Sequence, residues 1–348
     1  MTSLLRRSRF AMSVTQKDIA LKLGVSQRLI SYALNGQKGV GENMRQRILQ
    51  EAGKMGYAPN RMARALVTGC THQIALWYQF STTINHEMSQ QFQKLAKSTS
   101  YDLLSISNKG QAHNSGALAV DGGIFYGSIS PDLVTPYPVV EMLVDLRGKS
   151  AGEPPRNDLI LMPIEEASRE AMRHLIEQQC RRIAYVSIPS MMGHYEPRYR
   201  AYVREMREAQ LPMENISVEY PDDGNYRHRA QMTFKKYFCE HGFPDALFCS
   251  NDDLAIGAYR TLRQMDRHIP TETAVIGCDD IEESQDHVPS LTSIQFPCQE
   301  ICECAWEMLT SRIENPDLPP RTHTFKARLV KRQSTNRNNV PLLAHTKS

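Results

Sequence analysis

No stretch of the 348 residues comes near the roughly 18 consecutive apolar positions a membrane-spanning helix needs, so a bilayer-crossing helix is excluded. The N-terminus, Met1-Thr-Ser-Leu-Leu-Arg-Arg7, has charge but no apolar run behind it, which excludes a secretory leader and points to the cytoplasm. The eight cysteines are then expected to be reduced. Cys298, Cys302 and Cys304 cluster, yet no second pair stands at zinc-ligand spacing, so no metal is expected. Catalytic signatures are missing too. Gly148-Lys-Ser150 ends like a phosphate loop, but Leu143 stands where its first glycine belongs. There is no G-x-S-x-G elbow and no G-x-G-x-x-G after the first strand. The pairs Asp222-Asp223, Asp252-Asp253 and Asp279-Asp280 are of a kind common at strand and helix ends, and they give no ground for Mg²⁺. Neither an enzyme nor a cofactor is expected.

What is present is unevenly spread. The chain exceeds the roughly 250 residues one core usually holds, so more than one domain is expected. The net charge of +3 hides a contrast: residues 1–70 hold twelve Lys and Arg against three acids, a local +9. The remainder carries 29 basic and 35 acidic residues, or −6. A small basic module on a large acidic body points to a polyanion partner for the first part alone.

Local pattern sharpens this. Thr15-Gln-Lys-Asp18 has the form that caps a helix start, and Ile19, Ala20 and Leu23 follow on one face. Gly24 breaks the helix, and Ser26 caps a second one running to about Leu34, with Ile30, Ala33 and Leu34 inward. Gln27, Arg28, Ser31 and Tyr32 are left outward. Two short helices across a tight glycine turn form a helix-turn-helix, whose second helix reads the major groove. A third helix is expected from Glu42 to Met55, with Ile48, Leu49, Ala52 and Met55 buried.

From Gln73 onward apolar strand-like runs alternate with helical patterns. Strands are expected at 74–78, 101–106, 123–126, 139–144, 182–187, 246–249 and 273–277, with helices near 86–98, 165–178, 198–209 and 254–265. This rhythm predicts an α/β body of two doubly wound parallel-sheet subdomains, with a ligand crevice at the carboxyl ends of the strands.

Val14-Thr-Gln-Lys-Asp-Ile-Ala20, Gly24-Val-Ser26, Ser31-Tyr-Ala-Leu-Asn-Gly36 and Gly56-Tyr-Ala-Pro-Asn60 resemble the LacI/GalR (lactose repressor) family of bacterial regulators. Asn60-Arg-Met-Ala-Arg-Ala-Leu66 is similar to its hinge helix. The resemblance implies that Thr15, Ser26, Gln27, Arg28, Ser31, Tyr32 and Asn35 of the head meet DNA. It implies the same for Asn60, Arg61, Ala63, Arg64 and Leu66 of the hinge, with Leu66 wedged into the minor groove. Leu29, Tyr32 and Gly41 depart from the family's usual small polar residue, arginine and serine-like cap. Relatives commonly begin near Met12, so Met1–Ala11 reads as an upstream extension or a start placed too early. If translated, Arg6, Arg7 and Arg9 form a disordered arm attracted to phosphates.

In the body, Arg198-Tyr-Arg-Ala-Tyr202, Asn251-Asp-Asp-Leu-Ala255-Ile-Gly257, Ile276-Gly-Cys-Asp-Asp280, Pro289-Ser-Leu-Thr-Ser-Ile294 and Leu329–Thr335 carry the likeness. It implies a periplasmic-binding-protein type of body in which Arg198, Asn251 and Asp279 bind an effector; Asn251 equally suits a helix cap. Asp279, beside Arg198, is expected to be ionised. Gln79 and Phe80, after the first strand with Trp77, are candidates for the opposite wall, or else core. That wall is unfamiliar: the segment between Ile106 and Val120 is short for a helix, and Pro163-Ile164 replaces an acid-amide pair.

The expected organisation is a basic extension at 1–13, a DNA-binding head at 14–59, hinge and linker at 60–72, the body at 73–335 and a tail at 336–348. The function expected is a repressor that binds a palindromic double-stranded operator as a homodimer and answers to a small polar effector, a carbohydrate by class. Two heads match two half-sites. Ile301, Ala305, Met308 and Leu309 form an apolar helical stripe where relatives pair, and the tail is too short for a tetramerising coil. A carbohydrate-binding sensor or transport protein of the same core fold is the rival reading, which the basic head opposes.

Overall fold

The computed structural model describes residues 14–34, 36–57, 69–78, 81–107, 118–127, 129, 135–145, 155–220 and 225–337. The N-terminal extension, Asn35, the hinge residues from Asn60 to Leu66, Gln79, Phe80 and all but two residues of the tail lie outside them. The chain divides into two compact units, Met1–Thr71 and His72–Ser348.

The first unit holds α1 (Gln16–Leu23), α2 (Gln27–Leu34) and α3 (Glu42–Lys54). Helix α1 starts on a full capping box: the Thr15 hydroxyl accepts from Asp18 N while the Asp18 carboxylate takes Thr15 N at 2.8 Å. Losing such a cap costs about 1 kcal/mol. Gly24 ends the helix at φ +66, a left-handed conformation that favours glycine. Ile19, Ile30 and Ile48, one from each helix, meet with no solvent exposure and form the centre of a small core. Leu49 is 43% exposed, contrary to expectation, because the inward positions of α3 are Ile48 and Ala52, with Met44 packed beside them.

The second unit is two α/β lobes. The first lobe contains β1 (Gln73–Tyr78), α4 (Thr83–Ser98), β2 (Asp102–Ser107), β3 (Gly122–Tyr126), β4 (Val139–Leu143) and β5 (Asp158–Leu161). The chain then crosses into α5 (Glu165–Glu177), β6 (Ile183–Ser187), α6 (Pro197–Glu208), β7 (Glu214–Ser217) and α7 (Tyr226–His241) of the second lobe. That lobe continues with β8 (Ala246–Cys249), α8 (Asp252–Gln264), β9 (Ala274–Asp279) and β10 (Thr292–Gln295). Helix α9 (Cys298–Glu314) and β11 (Thr322–Thr324) return to the first lobe, and β12 (Arg328–Val330) closes the second.

The sheet orders are β11-β5-β4-β3-β1-β2 and β12-β10-β9-β8-β6-β7. Among the described residues every pairing is parallel except that of β10 with β12, as the alternating rhythm predicts. The chain passes between the lobes three times, at residues 162–164, 296–297 and 325–327.

Packing corrects one expectation outright. Ile301, Ala305, Met308 and Leu309 are almost wholly buried inside the chain, where α9 lies on α4 and on β3, β4 and β5. Gly122 of β3 leaves room for them, since a Cβ there would meet Leu309 Cδ1 at 2.9 Å. The stripe is this lobe's own core and offers no face to a partner. Trp77 is likewise core, stacked on Phe125 with ring centroids 4.3 Å apart. Ile164 is fully buried in the second lobe while Pro163 is exposed, so at the place of the family's polar pair this chain has a core residue. One cluster spans both lobes, with Ile256 of α8 and Ile281 after β9 joining Ile84 and Met88 of α4.

Candidate functional site

The head exposes one face of α2 to solvent. Ser26 Oγ accepts from Leu29 N at 3.2 Å, which starts the helix, while Ile30 and Ala33 anchor it. Gln27 and Arg28 are exposed, and Ser31 and Tyr32 are half-buried. Arg28 donates to the Tyr32 hydroxyl from Nε at 3.1 Å and Nη2 at 2.8 Å, and its guanidinium lies 5.2 Å from the Tyr32 ring centroid. The tyrosine thus holds the arginine in place on the outer face. Leu29 packs against the head core, which explains an apolar residue there. Thr15 spends its hydroxyl on Asp18, at 2.7 Å, so its place in the head is that of a cap. Lys22 pairs with Glu51 at 2.7 Å.

In the body, a cleft with a cavity volume of about 360 Å³ opens between the lobes at the carboxyl ends of the strands. It is bounded by Tyr126 at the end of β3, by residues 142–145 of β4 and beyond, and by the start of α4. The second lobe faces it with Glu196, Arg198, Asn251 and Asp279. Three residues far apart in sequence, Arg198, Asn251 and Asp279, therefore share one wall. Gln79 and Phe80 lie outside the described residues. Tyr220 and Tyr226, with no signature of their own in the sequence, also line the cleft.

The wall is tightly organised. Glu196 caps α6 by accepting from Tyr199 N at 2.8 Å, and Pro197 occupies the first helical position, where a missing N–H costs nothing. Glu196 also accepts from the Tyr185 hydroxyl at 3.0 Å and from Arg198 Nε at 2.7 Å. Arg198 gives a further bond to the Ser250 carbonyl at 2.9 Å. The Glu-Pro-Arg run was the available sequence signal for this pair, as a capping residue followed by an N1 proline. Asn251 caps α8, its Oδ1 accepting from Leu254 N at 2.9 Å, and its side chain also bonds Tyr226.

Asp279 is half-buried at the end of β9, with φ at +112. The expectation that Arg198 keeps it ionised is overturned. Arg198 is turned to Glu196, while burial and then the nearby Asp252 charge push the Asp279 carboxyl well above the usual carboxylate range.

Behind this wall, Asp252 is fully buried and ties three segments together. It accepts from Ile281 N at 3.0 Å and from the Ser284 and Ser293 hydroxyls, each at 2.7 Å. Gly277 is required there, because a Cβ would overlap the Asp252 carboxylate. Burial pushes that carboxyl up to about 7, against the pull of its three donors. A carboxyl raised in the fold binds more protons native than unfolded between its ordinary 3.8 and about 7. Stability should therefore fall as pH rises through that window and level off above it. Asp252→Asn removes the titration. Urea denaturation should show the parent losing about 3–4 kcal/mol more than this variant between the two ends of the window. Parallel stability curves for the two proteins would refute the assignment.

Polar bonds also bridge the lobes beside the cleft. Thr83 N and Oγ1 donate to Asp253 at 2.9 and 2.7 Å, and Arg227 Nε reaches the same carboxylate at 2.6 Å. The Tyr220 hydroxyl accepts from Ser81 N at 2.7 Å. None of these was legible as a functional signal in the sequence.

A helix-turn-helix head ahead of a two-lobed α/β body with a ligand-sized cleft is the build of a one-component transcription regulator. Residues 15–60 match the bacterial regulatory proteins of the lacI family, and residues 172–335 match the periplasmic-binding-protein-like domain. The chain has the domain make-up of the LacI family of bacterial regulatory proteins: that family's DNA-binding domain followed by a periplasmic-binding-protein-like domain.

It is 28% identical to the HTH-type transcriptional repressor PurR of Vibrio vulnificus, over 93% of this chain and 99% of that protein. It is 27% identical to the ribose operon repressor of Escherichia coli, over 92% and 99%. In fold it matches a LacI-family regulator from Silicibacter pomeroyi with a TM-score of 0.75 at 20% identity, covering 92% of this chain and 99% of that one. It matches the lac repressor dimer bound to operator and the anti-inducer ONPF with a TM-score of 0.71 at 19% identity, covering 93% and 99%.

Proposed function

We propose that this chain represses transcription by binding a palindromic operator as a homodimer, in the cytoplasm where its DNA target lies, and that a small polar molecule in the cleft sets its operator affinity. The observation that carries the reading is the exposed α2 with Arg28 held by Tyr32, on a capped three-helix head within a +9 segment. Base contacts are assigned to Gln27, Arg28, Ser31, Tyr32 and Asn35, with Thr15 and Ser26 positioning the helices; Asn60, Arg61, Ala63, Arg64 and Leu66 serve the hinge. Arg198, Asn251 and Asp279 are assigned to the effector. Carbohydrate is the first class to test, given the ribose operon repressor among the relatives.

With α9 closed inside the body, the dimer reading rests on half-site logic and on the second lobe's surface, where Val288 is 94% exposed. Genomic pull-down followed by footprinting is expected to enrich one imperfect palindrome. Arg28→Ala should weaken that site by about 1–3 kcal/mol, with relaxed preference at one base position in each half. A pull-down without an enriched palindrome, or a variant with unaltered base preference, would sink the reading.

A further inference from the structure

Among the described residues the cleft's charges do not balance. Four charged side chains of that set line it: Asp145, Glu196, Arg198 and Asp279. Asp145 accepts from Arg200 Nη2 at 2.7 Å. Glu196 and Arg198 satisfy one another at 2.7 Å, so the guanidinium brings no net charge to the wall. Asp279 has no such partner. Among the described residues its carboxylate accepts only from the Cys278 thiol, at 3.8 Å. Its backbone φ of +112 lies where L-residues seldom go, so the surrounding fold holds this carboxyl at the cleft against conformational preference.

The lining of the same cleft includes four tyrosines, Tyr126, Tyr195, Tyr220 and Tyr226. A carboxyl with no ion-pair partner among the described residues, in a cleft lined by tyrosines, is the chemistry that recognises ammonium groups: an arriving cation draws the carboxyl into its ionised form, and ring quadrupole and carboxylate then act in the same sense. Burial and Asp252 disfavour the charged form of Asp279, and a cation beside it would offset both, whereas a neutral sugar would offset neither and an anion would add to them. We propose that the cleft takes a small organic cation, a protonated amine or a quaternary ammonium, with its nitrogen on Asp279 and its carbon skeleton against the tyrosines. This rests on the reading above that the cleft is the effector site, and it narrows the class of effector. An amino sugar and an aromatic amine share the recognised nitrogen, and the test separates them.

The test is thermal stabilisation of the full chain by matched charged and neutral probes: glucosamine against glucose, tyramine against 4-ethylphenol, and choline against 3,3-dimethylbutanol. In at least one pair the charged member is expected to stabilise at about tenfold lower concentration than its neutral partner. Asp279→Asn should bring that pair to equality. The comparison within the parent protein decides the matter even if the variant fails to fold. No preference for the charged member in any pair overturns the proposal, as does a preference that survives Asp279→Asn. Ribose stabilising the chain while every amine fails would overturn it and leave the proposed function standing. An enriched palindrome with no response to any probe or sugar would end both this proposal and the effector part of that function.

Discussion

Arg198→Ala is expected to lower the free energy of unfolding by about 3–5 kcal/mol, the usual penalty for breaking a buried ion pair from one side. Both partners are about nine-tenths buried, and the variant would strand Glu196 without its cation. The Ser250 carbonyl would also lose its donor, which adds an unsatisfied acceptor in the cleft wall. Removing both charges together should hurt less: Glu196→Gln with Arg198→Met keeps volume and can keep the cap on Tyr199 N. Guanidinium denaturation of the two variants checks this. A double variant as unstable as the single one would show that the loss comes from packing rather than from a stranded charge.

An effect of similar size is expected from Asp158→Ala in the first lobe. Asp158 has no exposed surface and takes Arg312 Nε at 3.0 Å, Arg312 Nη2 at 2.5 Å, Arg321 Nη2 at 2.9 Å and Arg321 N at 2.7 Å. It clamps the end of α9 and the approach to β11 onto β5. Burial alone would raise this carboxyl, but the two guanidinium groups hold it below its ordinary value. Its stabilisation is therefore present above the unfolded value near 3.8 and is lost as pH falls through the lower folded value. The variant should lose about 3–5 kcal/mol at neutral pH and show a smaller further loss on acidification than the parent. Equal acid sensitivity in the two proteins would refute the role.

The head was legible nearly residue by residue, because its signals are local: a capping box, a left-handed glycine and apolar positions three and four apart. Leu49 was misplaced because α3 buries a narrower stripe than its apolar residues suggest. In the body, strands with unbroken apolar runs such as Ile183–Ser187 could be read directly. Polar edge strands could not: β7 carries one buried residue in four, and all three of β11 are exposed. The buried positions Tyr226, Ala230, Phe234 and Phe238 of α7 do recur at helical spacing, yet the basic residues between them masked the pattern. Arg198, Asn251 and Asp279 were found through the family likeness, while their partners were not, since Glu196 and Ser250 act only through the fold. The apolar stripe of α9 shows the limit of periodicity: it reveals that a face is buried, not what buries it.

The cluster shared between the lobes has a calorimetric consequence. Ile256 and Ile281 are each only 2% exposed because they rest among first-lobe residues. Any molecule that parts the lobes must hydrate these side chains and the surface of α4 that covers them. Hydrating apolar surface raises the heat capacity by roughly 0.45 cal/K/mol for each Å² exposed. Effectors that open the body and effectors that clamp it shut would then differ in the sign of their binding heat capacity, with clamping ligands showing the more negative value. The temperature dependence of binding heat would thus report the direction of lobe motion, whatever the chemistry of the ligand.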